Sequence, residues 1–171
     1  VDGELWDLTD AAGLPVGRTH RRGAPGFPAG LFHIVSAVCV VRDDGLVLIT
    51  QRAAVKDHPL MWEFPAGSIL AGETSREGAV RELREETGLR AEVGALAEVG
   101  RVVEDEALLD LYVVRGLGDH TLTLDPEEVA AAAWVPFAAV WRRCADRSMA
   151  GPWIDRLGLL GARLEAMVGA E

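Results

Sequence analysis

Three carboxylates, Glu82, Glu85 and Glu86, stand at positions i, i+3 and i+4 of a 171-residue chain. On a helix that spacing projects all three from one side. Like charges four residues apart repel by about a few tenths of a kcal/mol in an isolated helix. No basic residue shares the edge to offset Glu82 against Glu86, so the pattern asks for a cation from elsewhere. Hard divalent ions such as Mg²⁺ suit it, because they take oxygen ligands, keep several waters and bridge to substrate phosphates. The plainer reading is a solvated helix face, and spacing alone favours it.

The elements around these residues decide what they can reach. Thr74-Ser-Arg-Glu77 has the spacing of a capping box and Gly88 stands where helices commonly close, which predicts a helix over 75–87. Ala79, Val80, Leu83 and Thr87 fall beside the acidic edge and supply a packing flank. Residues 31–41 and 46–51, separated by Asp43-Asp44-Gly45, predict a strand pair. Strands are also expected over 89–103, 107–116 and 129–135, and helices near 137–146 and 152–168. Two further runs, 4–9 and 14–21, flank a turn cluster, so 1–22 reads as a hairpin extension laid against the domain. A Gly-, Pro- and Arg-rich connection over 13–30 separates it from the body. The expected architecture is a single domain over 1–171, with a core at 31–146 and a C-terminal helix at 152–168. Its class is α+β, a mixed β-sheet in a layered α/β/α sandwich.

Composition narrows the partners. Apolar residues make up 49% of the chain and charged residues 26%, the balance of a packed globular protein. Seventeen Lys and Arg against twenty-seven Asp and Glu leave a net charge of −10, which repels nucleic-acid polymers and anionic membranes. A phosphorylated substrate would need cations recruited to the site. The longest apolar run, 129–141, is broken by Pro136 and falls short of the ~20 residues a bilayer helix requires. The first ten residues are acidic and lack the apolar centre of a secretory leader. Cys39 and Cys144 form neither a metal pattern nor a disulfide framework, which suits two buried thiols in a reducing cytoplasm.

The wider segment breaks the tie over the glutamates. Gly67-Ser-Ile-Leu-Ala-Gly-Glu73, seven residues, and then Arg81-Glu82-Leu83-Arg84-Glu85-Glu86-Thr87-Gly88-Leu89 resemble the Nudix hydrolase signature at every fixed slot. A chance match in a chain of this length is on the order of one in a million, so the motif outweighs the solvated-face reading. The resemblance extends to 46–52, which ends in Gln51-Arg52, and to Met61-Trp-Glu-Phe-Pro-Ala-Gly67. It implies an α/β/α sandwich, a divalent metal (Mg²⁺, with Mn²⁺ as an alternative), and metal-assisted attack of water on a diphosphate bond. The implied substrate is a small molecule of the nucleoside diphosphate-X type, and a homodimer is compatible with the pattern.

Carried onto this chain, the resemblance makes Glu82, Glu85 and Glu86 the metal carboxylates, with the carbonyl of Gly67 or Ala66 as a further ligand. Glu73 and Arg81 take the positions that brace loop against helix. Gly72 and Gly88 serve as backbone permissions, and Gly78 would admit a close neighbour. Glu86 and Glu128 are the candidates for general base, although Glu128 also reads as a solvated loop residue beside Glu127. Arg52 and Lys56 lie near positions that the related isopentenyl diphosphate isomerases use to hold a diphosphate, and in this acidic chain such a pair would serve a hydrolase equally; the plainer reading is two ordinary surface charges.

The N-terminal segment, with Glu4-Leu-Trp-Asp-Leu8, Gly17-Arg-Thr-His20 and His33, is similar to relatives of isopentenyl diphosphate isomerase. There, His20 and His33 would fall near a metal; the simpler reading is one surface and one strand-edge histidine. Ala66 stands where the isomerases carry a catalytic cysteine and Ser68 where they carry a metal histidine, while the hydrolase signature is intact. Hydrolysis is therefore expected ahead of isomerisation, and a non-catalytic binding module comes last. The five tryptophans read as core rather than as base-stacking platforms, and His58 and His120 belong to no pattern.

Overall fold

Residues 33–41 are apolar at nearly every position because both faces of their strand are covered. The computed structural model describes residues 3–170. Over them, β1 (Leu5–Thr9) and β2 (Pro15–Arg21) form an antiparallel hairpin. A mixed sheet holds β3 (His33–Val41), β4 (Val47–Arg52), β5 (Trp62–Glu63), β6 (Ala66–Ser68), β7 (Ala97–Val103), β8 (Ala107–Arg115) and β9 (Val129–Val135). The helices are α1 (Ser75–Thr87), α2 (Phe137–Ala145) and α3 (Gly151–Gly169). The centre of the sheet pairs β3 with β8 in parallel, from His33 against Ala107 to Val41 against Arg115. The other pairings in this sheet, β3 with β4 and β6, β4 with β5 and β9, and β7 with β8, are antiparallel.

Side chains of a strand alternate between faces, and the two faces lead to two cores. Ala37, Cys39 and Val41 join Ile49, Leu109 and Leu111 beneath Val140 of α2 and Trp153, Leu157 and Leu164 of α3. Val38 and Val40 join Leu48, Tyr112 and Val114 beneath Ala79 and Leu83 of α1. The result is an α+β sandwich with α1 on one side of the sheet and α2 and α3 on the other. Leu83 is fully buried, so truncating it to alanine would cost about 2–5 kcal/mol. No helix among the described residues is long and apolar enough to cross a membrane.

Both ends of α1 follow from local chemistry. Thr74 accepts from the Glu77 backbone while the Glu77 side chain accepts from the Thr74 backbone, and Gly88 closes the helix at φ 77° with its N–H on Arg84 O. Two expectations need correction, and two short strands were not expected at all. The strand expected over 89–103 begins only at Ala97, because Leu89 and Leu96 turn into the α1-side core around a short 3₁₀ turn, Val93–Ala95. Strands β5 and β6, of two and three residues, are too short to show a period in sequence. Cys39 is buried, and burial pushes its thiol up, but Cys144 on α2 is only half-buried.

The hairpin is tied to the body at its turn, where Arg101 donates to Ala12 O at 2.6 Å, and at two further places. Thr9 and Phe32 exchange backbone hydrogen bonds of 2.8 and 3.0 Å, and the loop before α1 donates from Ala71 to Leu5 O at 2.7 Å and from Gly72 to the Asp7 carboxylate at 2.7 Å. Gly72 holds φ 87°, the left-handed backbone that lets this loop turn. The signature loop is thereby held between the hairpin and the helix.

Candidate active site

Strand β6 runs antiparallel to β3, pairing Gly67 with Ser36, and brings the backbone of 66–68 alongside the acidic edge of α1. A Cβ at residue 67 would lie 2.1 Å from the Glu82 carboxylate carbon, so only glycine lets that carboxylate rest against the strand. One turn earlier, a Cβ on Gly78 would lie 2.2 Å from Ile69 Cδ1; the close neighbour admitted there is the loop itself. Arg81 spans the gap between loop and helix. Its guanidinium donates to both oxygens of Glu73 at 2.7 and 2.9 Å and to Ser68 O at 3.1 Å, and one nitrogen is shared between Glu82 at 2.7 Å and Glu85 at 3.0 Å. This corrects the expectation that no base offsets the acidic edge. From the adjacent position, the long Arg81 side chain curls back to reach two of the three glutamates.

Glu86 is left out of that arrangement. It is 6% exposed, and its Oε2 has no hydrogen-bond partner among the described residues. Burial, and then the charges of Glu63, Glu82 and Glu128, hold its carboxyl well above the usual carboxylate range, opposed by the Ala66 backbone N–H. Burial also raises Glu82 and Glu63, opposed chiefly by Arg81 and Arg52 respectively, while Arg81 lowers Glu73. A buried, like-charged cluster with an orphan oxygen is what a bound cation would relieve. Hard oxygen donors of this kind fit a divalent ion. Among the described residues no three acidic, His or Cys side chains stand in ready ligand geometry. Arg81 draws Glu82 and Glu85 aside.

A cleft of about 440 Å³ opens over this edge. Its far wall comes from β4, the loop after it, and the loop before β9, and it carries Arg52, Lys56 and Glu128. The 123–128 segment is docked on the end of α1 by Thr123 N–H to Thr87 O at 2.8 Å and Asp125 N–H to Glu86 O at 3.2 Å, which sets Glu128 across from Glu86. Arg52 grips Glu63 at 2.8 and 3.0 Å, and Lys56 forms an ion pair with Glu128. Of the residues the Nudix resemblance assigned to metal, catalysis or phosphate, all line the cleft; Glu73 and Arg81 lie behind it as braces.

The NUDIX domain model matches residues 31–157, the span that contains both walls. This chain belongs to the Nudix hydrolase family. It is 35% identical over 135 residues to an uncharacterized Nudix hydrolase of Listeria monocytogenes, covering 77% of this chain and 79% of that one. It is 32% identical over 156 residues to an isopentenyl-diphosphate Delta-isomerase of Nocardia farcinica, covering 86% and 89%. The crystal structure of DR0079 from Deinococcus radiodurans shares the fold with a TM-score of 0.67 at 22% identity, over 84% of this chain and 90% of that one. Family membership gives an enzyme of the pyrophosphohydrolase class.

Around this Nudix site the N-terminal histidines form a separate group. His33 stacks on Trp6 at 4.0 Å with 12° between planes, and burial lowers it to about 4. His20 meets Ala24 O at 3.1 Å and the edge of Phe27 at 4.9 Å. Neither lines the cleft. Sequence reasoning missed Glu63, Arg22, His58 and Arg156, all of which do. Glu63 was within sight, two residues past Met61 on the approach to the Nudix signature, and its register opposite Thr50 on β4 places it beside Arg52. Arg156 gave no signal, since only the packing of α3 brings a residue 70 positions from Glu86 to the same cleft.

Proposed function

We propose that this protein is a Mg²⁺-dependent hydrolase, with Mn²⁺ able to substitute, that cleaves the diphosphate linkage of a nucleoside diphosphate-X type small molecule. The observation that carries the reading is Glu86: buried, without a partner on Oε2, and flanked by three further carboxylates. Glu82, Glu85 and Glu86, with the Gly67 carbonyl, would hold the ion. When bound, the ion supplies charge neutralisation at the diphosphate and acidifies the attacking water.

The chain's own residues do the rest. Arg81 already holds both oxygens of Glu73, so it would keep the loop fixed if Glu82 and Glu85 were given over to the ion. Arg52 and Lys56, already oriented by Glu63 and Glu128, face the substrate's phosphates and offset a cleft that would otherwise repel them. Glu86 and Glu128 flank the space where water would attack phosphorus, and one of them takes its proton. The free thiols and acidic surface suit a cytoplasmic enzyme.

The isomerase alternative has the Nocardia relative in its favour but no acid to run it. Residue 66 is alanine, Cys39 is sealed in the α3-side core and Cys144 lies on α2, so no thiol faces the cleft. The test is product release from nucleoside triphosphates, nucleotide sugars, dinucleoside polyphosphates, ADP-ribose and coenzyme A with Mg²⁺, for the wild type and for Glu85→Gln, Glu86→Gln and Glu128→Gln. Turnover that falls by orders of magnitude in the Glu85 and Glu86 variants supports the reading. Equal rates in all forms, or interconversion of isopentenyl and dimethylallyl diphosphates instead of hydrolysis, would overturn it.

A further inference from the structure

Five basic side chains line the cleft: Arg22, Arg52, Lys56, His58 and Arg156. Four already have a carboxylate. Arg22 meets Glu4 at 2.8 Å, Arg52 meets Glu63, Lys56 meets Glu128, and Arg156 grips Glu104 at 2.6 and 2.9 Å. His58 is the exception. Among the described residues its imidazole has neither an ion pair nor a hydrogen bond, although it sits on the same wall as Arg52 and Lys56.

The backbone that presents it is fixed. Within the loop between β4 and β5, Lys56 N–H donates to Ala53 O at 3.1 Å, Leu60 N–H to Arg52 O at 3.1 Å, and Met61 N–H to His58 O at 3.2 Å; the Gln51 side chain adds a bond to Leu60 O at 2.9 Å. His58 and Leu60 hold φ 53° and 59°, a left-handed conformation that residues with side chains rarely adopt. Among the described residues no hydrogen bond or ion pair of the imidazole accounts for holding it there. The ring reaches toward the first turn of α3, with Cε1 3.7 Å from where a Cβ on Gly151 would stand. Ala150 and Pro152 of the same turn also line the cleft.

A ring presented by a hydrogen-bonded loop, exposed to the cleft and left without a protein partner beside four paired cations, is a donor available to something that enters. We propose that His58 is a substrate-binding residue of this enzyme, donating a hydrogen bond to a non-bridging oxygen of the substrate's phosphate on the side of the cleft away from the α1 carboxylates. The proposal rests on the hydrolase reading above. It assigns to His58 the direct contact that Arg52 and Lys56 make only in competition with Glu63 and Glu128. The ligand class is an organic diphosphate or higher phosphoanhydride, recognised through its phosphate oxygens rather than through its organic part.

Two measurements on the full chain test this. The four histidines give four Cε1–H resonances, and the one lost in His58→Ala identifies residue 58. Methylenediphosphonate, added with Mg²⁺, is expected to shift that resonance. In steady-state hydrolysis of the best substrate from the panel, His58→Ala is expected to raise KM about tenfold with kcat within about twofold, the size of one hydrogen bond to a charged group. His58→Gln, which keeps a donor, should recover part of the loss. A wild type that hydrolyses its substrate while His58→Ala keeps the same KM, or a diphosphonate that inhibits competitively without moving the His58 resonance, would overturn this proposal and leave the hydrolase reading standing. A wild type that hydrolyses nothing in the panel would end both.

Discussion

The Glu82 carboxylate occupies the space that a side chain on Gly67 would need. With 2.1 Å between its carbon and an ideal Cβ at residue 67, the helix and β6 can approach this closely only because residue 67 has none. Gly67 does not hold a positive φ, so alanine is acceptable to the backbone and the conflict falls on Glu82 alone. Gly67→Ala is therefore expected to keep the fold, with an unfolding free energy within about 1–2 kcal/mol of wild type, the usual range for mild overpacking. Hydrolysis should fall about a hundredfold or more as Glu82 is pushed away from the loop carbonyl. Urea titration and steady-state kinetics on one preparation check both halves, and undiminished turnover would show that the contact has no functional weight.

Glu86 carries a cost that the proposed ion site would offset. Its carboxyl is buried among like charges, opposed by the Ala66 backbone N–H, so a neutral isostere should be easier to bury. Glu86→Gln is expected to gain about 1 kcal/mol, seen as a rise of roughly 2–4 °C in Tm for a chain of this size. Its turnover should drop by about 10²–10³-fold or more. Calorimetry in the absence of divalent ions isolates the stability effect. A variant less stable than wild type would mean that the orphan oxygen has a partner in solution.

Much of this arrangement was legible in the sequence, for identifiable reasons. The α1 boundaries are written in Thr74, Glu77 and Gly88, which act within one turn of the chain. The glutamates could be placed on one edge because helical spacing fixes them whatever the helix packs against. The strands at the centre were visible as apolar runs because β3 and β8 are covered on both faces. What sequence could not show depended on reach or register. Arg81 satisfies Glu82 and Glu85 by bending its side chain along the helix, which no heptad diagram contains. Glu63 meets Arg52 because two short strands align in register. Residues 89–96 resemble a strand because Leu89, Ala91 and Val93 alternate with Arg90, Glu92 and Gly94, but they serve to turn the chain under α1.

Arg81 joins three carboxylates and a carbonyl, and both Arg81 and Glu82 are largely shielded from solvent, with side-chain exposures of 17% and 18%. Removing it leaves Glu73 and Glu82 without their charge partner in a half-buried setting. Arg81→Ala is expected to lose about 2 kcal/mol, less than the cost of breaking a fully buried pair because Glu73 and Glu85 can still reach water. Arg81→Lys should restore only part of this, since an ammonium cannot serve Glu73 through two parallel bonds while also contacting Glu82. Chemical denaturation of the two variants beside wild type measures the gap. Equal stability of lysine and arginine at this position would remove the geometric argument.

His33 gives the fold a pH dependence that can be separated from every other titrating group. Its ring is stacked on Trp6 and burial lowers it to about 4 from 6.5, so the folded protein binds the proton more weakly than the unfolded chain. The sign follows directly. Above pH 6.5 both states hold the ring neutral and its contribution is complete. Between 6.5 and 4 the unfolded state takes up the proton first, and stability is lost as pH falls. A shift of this size corresponds to about 3 kcal/mol at full loss. His33→Phe keeps an aromatic ring over Trp6 and removes the titration, while every other ionisable group remains in place and cancels in the comparison. The difference in unfolding free energy between variant and wild type should therefore be flat from pH 8 to 7 and swing steadily in the variant's favour toward pH 4.5. Parallel pH profiles would show that the ring is open to solvent in the folded protein and that the hairpin does not seal it against Trp6.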